Sequence, residues 1–284
     1  MKQFKNISIR KKILISMLVF TLLPIILVAA VATTIPYLTM RDQLIYDHRM
    51  SSGWLQDRLS LDVNTILDHF YDFEVDKAVK NDIYQWCVKG EPLNYAAQWQ
   101  IITLMNTLIS MDSRINSIEI HNLSDDSVLI AARSGAHLDI RGDRLDRWFA
   151  RGTGLQSNLV FLREENELLA IHQIHRFDDK LPIAVVVARF RPYQLQNVLD
   201  EIKTVPEETI LVFNDQNELL EADYGTTWDI GAETVEVVRS ELASGERKEG
   251  SYHNQFWFYR SVDNGKMQVL LTVPNKTIVD ALCP

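Results

Sequence analysis

Residues 13–40 form an unbroken run of 28 positions without Asp, Glu, Lys or Arg, reading ILISMLVFTLLPIILVAAVATTIPYLTM. A helix needs about 20 apolar residues to cross ~30 Å of hydrocarbon, so this run predicts a transmembrane helix over 13–38 even if Pro24 kinks it or Pro36 ends it. Lys2, Lys5, Arg10, Lys11 and Lys12 precede it, with no acid before residue 13. The positive-inside rule therefore places residues 1–12 in the cytoplasm and residues 41–284 outside. The alternative is a cleaved secretory signal, for which Ala30-Val31-Ala32 offers an A-x-A site; the run exceeds the ~7–15 residues of a signal core, which favours a retained anchor. Either way the bulk of the chain is exported.

Composition narrows what that exported part is. The chain has 284 residues, 46% hydrophobic and 24% charged, enough to build a core and too apolar for wholesale disorder. Its net charge is −9, and the five N-terminal cations mean that the exported part is more acidic still. That excludes a nucleic-acid partner, which needs a concentrated basic face. Two cysteines, Cys87 and Cys283, make neither a disulfide framework nor a zinc site.

Beyond the apolar run, Leu55, Leu59, Val63, Ile66, Phe70 and Phe73 recur at steps of three and four among charged residues. This predicts one long amphipathic helix over residues 41–80, continuing the membrane helix. Gly90-Glu91-Pro92 breaks the pattern, and residues 95–111 predict a second helix with Trp99, Ile102, Met105 and Ile109 on its apolar stripe. From residue 115 the period changes to two. Hairpins are predicted around residues 122–127, Glu164-Glu165-Asn166, Asp178-Asp179, Asp215-Gln216-Asn217 and Asp263-Asn264-Gly265, with helix or loop at 142–154 and a helix closed by Gly245. Short turns force antiparallel pairing, so the class is α+β, with one module over 41–200 and a smaller one over 201–281.

A membrane helix, a long extracellular helix and two successive antiparallel modules resemble the double Cache sensor region of bacterial transmembrane receptors, above all the input half of sensor histidine kinases. ETILVFNDQNELLEAD is similar to the opening hairpin of the membrane-proximal Cache module, and TVPNKTIVDALCP to the exit towards a second membrane helix. The resemblance implies two PAS-like modules, a membrane-distal pocket for a small-molecule ligand or a solute-binding protein, and a parallel homodimer. The stripes on the 41–80 helix have two readings, a cover for the sheet of the same chain or a parallel seam with a second copy, and both can hold at different heights; residues 44–58, with Trp54 and Leu55, are the expected dimer seam. No cofactor is implied, and no phosphoacceptor His pair or glycine-rich nucleotide box accompanies the sensor in this chain. It is therefore expected to be an input region without its output domain. The same input region also serves chemoreceptors and cyclic-dinucleotide enzymes, and an exported hydrolase is an alternative of another class.

Within the distal module, residues 143–150 read DRLDRWFA. An aromatic ring beside guanidinium groups suits a small polar ligand, since the ring excludes water and arginine grips a carboxylate with two hydrogen bonds. The segment is similar to the Arg-x-Trp-Tyr ligand signature of double Cache domains, but it carries Asp146 two residues before Trp148, and Phe149 in place of Tyr. Trp148 is the expected apolar wall and Arg144 or Arg147 the clamp; the competing reading makes Trp148 and Phe149 core anchors. His172 is the expected contact from the sheet, because Ala170, His172 and Ile174 share a strand face. His172 and His175, three apart on a strand, fall on opposite faces and predict no shared metal. No G-x-S-x-G element is present, so no catalytic residue is assigned. The acidic pairs at the hairpin tips read as solvated turn residues.

Overall fold

The structure, a computed structural model, describes residues 9–88, 95–125, 127–133, 135–140, 159–164, 167–176, 181–191, 193–224, 248–252 and 255–275. The described residues fall into two units, one up to His48 and one over Arg49–Pro274. Helix α1, Ile9–Val75, supplies the first unit and passes through Pro24 and Pro36 without ending. It contains a stretch long and apolar enough to cross a membrane, and none of that stretch is buried.

In the second unit the predicted stripe is the core face of α1. Leu55, Leu59, Val63, Ile66, Phe70 and Phe73 are all buried, while Trp54 is 69% exposed. Leu55 thus serves the chain's own core rather than an outward seam. The helix stops earlier than residue 80 because Asp76 adopts extended backbone and caps a separate helix, α2 (Lys77–Cys87), accepting from the amides of Ala78 at 2.8 Å and Val79 at 3.3 Å. Helix α3, Tyr95–Met111, has the expected bounds but a rotated face. Ala97, Ile101, Met105, Leu108 and Ile109 are buried, so Met105 and Ile109 of the expected stripe face the core, whereas Trp99 points outward at 68% exposure.

Eleven strands follow among the described residues. The first six are β1 (Ile115–Asn122), β2 (Ser127–Ala132), β3 (Gly135–Ile140), β4 (Leu159–Glu164), β5 (Glu167–His175) and β6 (Pro182–Phe190). They form one antiparallel sheet in the order β3-β2-β1-β6-β5-β4. After helix α4, Gln194–Ile202, come β7 (Thr209–Asn214), β8 (Leu219–Asp223), β9 (Glu249–Tyr252), β10 (Gln255–Val262) and β11 (Met267–Pro274). These form a second antiparallel sheet, β8-β7-β11-β10-β9. Strand β3 and helix α4 lie in segments for which the sequence pattern predicted neither. The expected turn at Asp178-Asp179 and the helix before Gly245 lie outside the described residues.

Helix α1 contacts both modules. In the six-stranded module the Arg114 guanidinium pairs with Asp62 of α1 and, at 2.7 Å, with Asp112. In the five-stranded module the Ser261 carbonyl accepts from Gln56 Nε2 at 2.9 Å, and Arg49 Nε donates to Glu249 at 2.9 Å.

Candidate functional site

Antiparallel register sorts the six-stranded sheet into two faces. Ile118, Ile120, Val186, Ala188, Ala170, His172 and Phe161 occupy one, and its histidine meets α1. The His172 ring stacks on Phe70 with centroids 5.4 Å apart, and its Nε2 lies 3.8 Å from Glu74. His175 lies 3.6 Å from the same carboxylate. The two histidines therefore do not point apart as strict alternation predicts, because the β5–β6 register slips between Ile174 and His175. The hydrogen bond from His172 is the main cause holding the Glu74 carboxyl below its ordinary pKa, against the upward push of burial.

On the opposite face the β1 residues Glu119 and His121 meet Arg189 of β6. Arg189 Nε donates to Glu119 Oε1 at 2.6 Å, and the His121 Nε2 lies 3.0 Å from Glu119 Oε2. Arg189 Nη1 also reaches Glu164 and Glu167, each at 3.4 Å. Glu164 is thus part of a buried-edge network, not only a solvated turn residue. Burial drives the Glu119 carboxyl upward, but the His121 hydrogen bond and the Arg189 charge prevail and leave it below its ordinary value. The same carboxylates raise the Arg189 pKa, against desolvation.

Beside this polar corner lies a buried apolar cluster on the same face: Val160, Leu162, Leu169, Ile171, Val185 and Val187, with Leu123 packed against it. A few convergent polar groups next to an apolar wall is the make-up of a small-molecule site. A buried arginine–glutamate pair is also costly to desolvate and often no more stabilising than apolar residues of similar volume, so stability alone does not account for it. Among the described residues no group of three or more His, Cys, Asp or Glu has the arrangement to hold a metal ion. A cavity of about 30 Å³ lies elsewhere, between α1, α4, Leu168, Phe190 and Met267, and has room for an ordered water.

Of the site residues expected from sequence, Arg144, Arg147 and Trp148 lie outside the described residues. His172 sits on the helix-covered face, one strand position from Ile171 of the apolar cluster, and is not brought together with Arg189. Glu119, His121, Glu167 and Arg189 were missed. Their signal was present as polar residues alternating with Ile118 and Ile120 in β1, and as an arginine closing the apolar run of β6.

No family model matches the sequence, and no curated protein resembles it in sequence. Solved structures match in fold. The extracellular domain assigned to a histidine kinase aligns with a TM-score of 0.54 at 11% identity, over 85% of this chain and 98% of that one. The sensory domain of the Campylobacter jejuni chemoreceptor Tlp3 aligns with a TM-score of 0.54 at 12% identity, over 86% and 98%. A domain of a sensory box/GGDEF family protein from Vibrio parahaemolyticus gives 0.51 at 9% identity, over 86% and 99%. The shared fold is the double Cache arrangement of a long helix carrying two antiparallel modules.

Proposed function

We propose that this chain is the extracellular sensing region of a membrane-bound signalling receptor, the input half of a sensor histidine kinase. The observation that carries this reading is the combination of a double Cache fold, an apolar N-terminal helix with cations before it, and a charged corner on the distal sheet face. A small molecule binds against Glu119, His121 and Arg189, with Trp148 as the apolar wall and Arg144 or Arg147 as the clamp that the sequence suggests. His172, stacked on Phe70, ties the sheet to α1. Binding favours one of two conformations, and α1 carries the difference towards the membrane; a ligand with equal affinity for both would shift nothing.

The receptor is a parallel homodimer. Met50, Trp54, Leu61, Tyr71 and Val75 are all exposed on α1, at spacings that fit a coiled-coil seam facing a second copy. The same sensor fold in a chemoreceptor and in a GGDEF protein makes either output the second reading.

Tlp3 has been crystallised with isoleucine, norvaline and valine, so amino acids head the panel of compounds to test. A ligand at 100 times its Kd stabilises the folded state by about 2.7 kcal/mol, which thermal unfolding of the full chain in detergent detects. Trp148→Ala, Arg144→Ala and Arg147→Ala then separate binding from folding. Loss of ligand-induced stabilisation in a variant that still folds supports the site. Unchanged binding in all three moves the site elsewhere. A kinase chimera carrying residues 1–284 that answers to no compound, together with no thermal shift across amino acids, amines and organic acids, would overturn the sensing role.

A further inference from the structure

Strand β4 ends the six-stranded sheet, and a bare sheet edge is an aggregation hazard that proteins cover. Here the cover is the other module. The Phe161 carbonyl of β4 accepts a hydrogen bond from Asn214 Nδ2 at 3.0 Å. Asn214 is fully buried at the end of β7, and its side-chain Oδ1 accepts from the amides of Gln216 at 3.0 Å and Glu218 at 2.8 Å. Its Nδ2 also lies 3.2 Å from Glu218 Oε2, so each of the four hydrogen-bonding positions of the amide is used. The β7–β8 turn is thereby fixed as a knob against the β4 edge.

The last two side chains of β4 reach different modules. Arg163 Nη1 donates to Glu221 Oε1 of β8 at 2.6 Å and to the Leu220 carbonyl at 3.2 Å. Glu164, the next residue, reaches Arg189 in the polar corner. A displacement of β4 along its own axis therefore disturbs Glu164 against Arg189 and Arg163 against Glu221 together. Chains of hydrogen-bonded and ion-paired side chains of this kind can carry coupling between sites when the element they hold has two arrangements.

We propose that β4 couples the distal polar corner to the proximal sheet through Arg163–Glu221 and Asn214–Phe161, giving the sensor a second route to the membrane-proximal module besides α1. This rests on the polar corner being the sensing site and adds the path by which its state is read.

The test needs no ligand, so its outcome is independent of the ligand screen. Hydrogen exchange of the full chain in detergent is followed in peptides over residues 209–223 for wild type, Arg189→Met, Arg163→Met and the double variant. Arg189→Met is expected to speed exchange there about fivefold or more, the lower end of common coupling strengths. With Arg163→Met already in place, Arg189→Met should speed exchange in the 209–223 peptides by clearly less than in wild type, the Asn214–Phe161 contact remaining, while still speeding exchange in β5 and β6. If Arg163→Met loosens the whole chain, Glu221→Gln, which keeps the shape and removes the charge, takes its place in the cycle. Equal effects of Arg189→Met in both backgrounds, or none on residues 209–223 in either, would overturn the coupling while leaving a ligand-induced thermal shift untouched.

Discussion

Replacing Arg189 with methionine removes a cation that reaches three carboxylates, Glu119, Glu164 and Glu167. Arg189 and Glu119 are each 9% exposed and bonded at 2.6 Å, so the variant leaves Glu119 buried with His121 at 3.0 Å beside it among the described residues. Breaking a buried pair in this way typically costs about 3–5 kcal/mol. The lower end applies, because His121 remains, and because Glu164 and Glu167 keep side-chain exposures of 29% and 26% and stay partly hydrated. About 3 kcal/mol corresponds to a Tm drop of roughly 6–12 °C for a unit of this size. Thermal unfolding of the full chain, followed by near-ultraviolet circular dichroism, measures it.

The drop should also depend on pH in a fixed direction. In the wild type Glu119 titrates below its ordinary value of 4.5, so its contribution is present above the unfolded pKa and lost as pH falls through the folded one. Without Arg189, desolvation prevails and the carboxyl titrates higher, so acid neutralises it and relieves the variant. The Tm difference is expected to shrink from pH 8 to pH 5, and Glu119→Gln/Arg189→Met should be less destabilised than Arg189→Met alone at pH 8. A drop below about 2 °C at pH 8, or one independent of pH, would refute the view of the corner as a desolvated ionic site.

Three further outcomes follow. A reporter fused after Pro284 should be active only if it works outside the cytoplasm; cytoplasmic activity would contradict the orientation read from the cations before residue 13. Gly250→Ala should destabilise by about 1–3 kcal/mol, since a Cβ there would lie 2.7–3.0 Å from the Trp257 ring, which is 1% exposed and has no room to yield; an unchanged Tm would show the ring is free to move. Glu74→Gln should lower Tm at neutral pH and lose its effect in acid, because the Glu74 pKa is depressed and its stabilisation vanishes as pH falls below about 4.5; a difference that persists at low pH assigns the effect to packing.

Much of the architecture was legible because it rests on periodicity. The six apolar residues of α1 are all buried, and the turns around residues 122–127, 215–217 and 263–265 join the paired strands as their composition predicts. What escaped has local causes. Asp76 ends α1 through a cap on an otherwise uninterrupted helical pattern, and one aspartate among several gives little signal. On α3 the aromatic Trp99 drew the predicted stripe towards itself, whereas burial went to Ala97, Ile101 and Leu108, the smaller side chains that fit against α2 and the sheet.

The polar corner was harder to read, for a reason that bears on its role. Local pattern separates a core face from a wet one, and a strand such as β1, with Glu119 and His121 between isoleucines, reads as an ordinary half-exposed strand. Only the pairing of β1 with β6 reveals that both polar residues are buried, because that pairing sets Arg189 beside Glu119, 70 positions away in the chain. Charge held on a buried sheet face is often no more stabilising than apolar residues of similar volume. Its retention, on the face turned away from α1 and next to a buried apolar cluster, is what binding a polar ligand there would require.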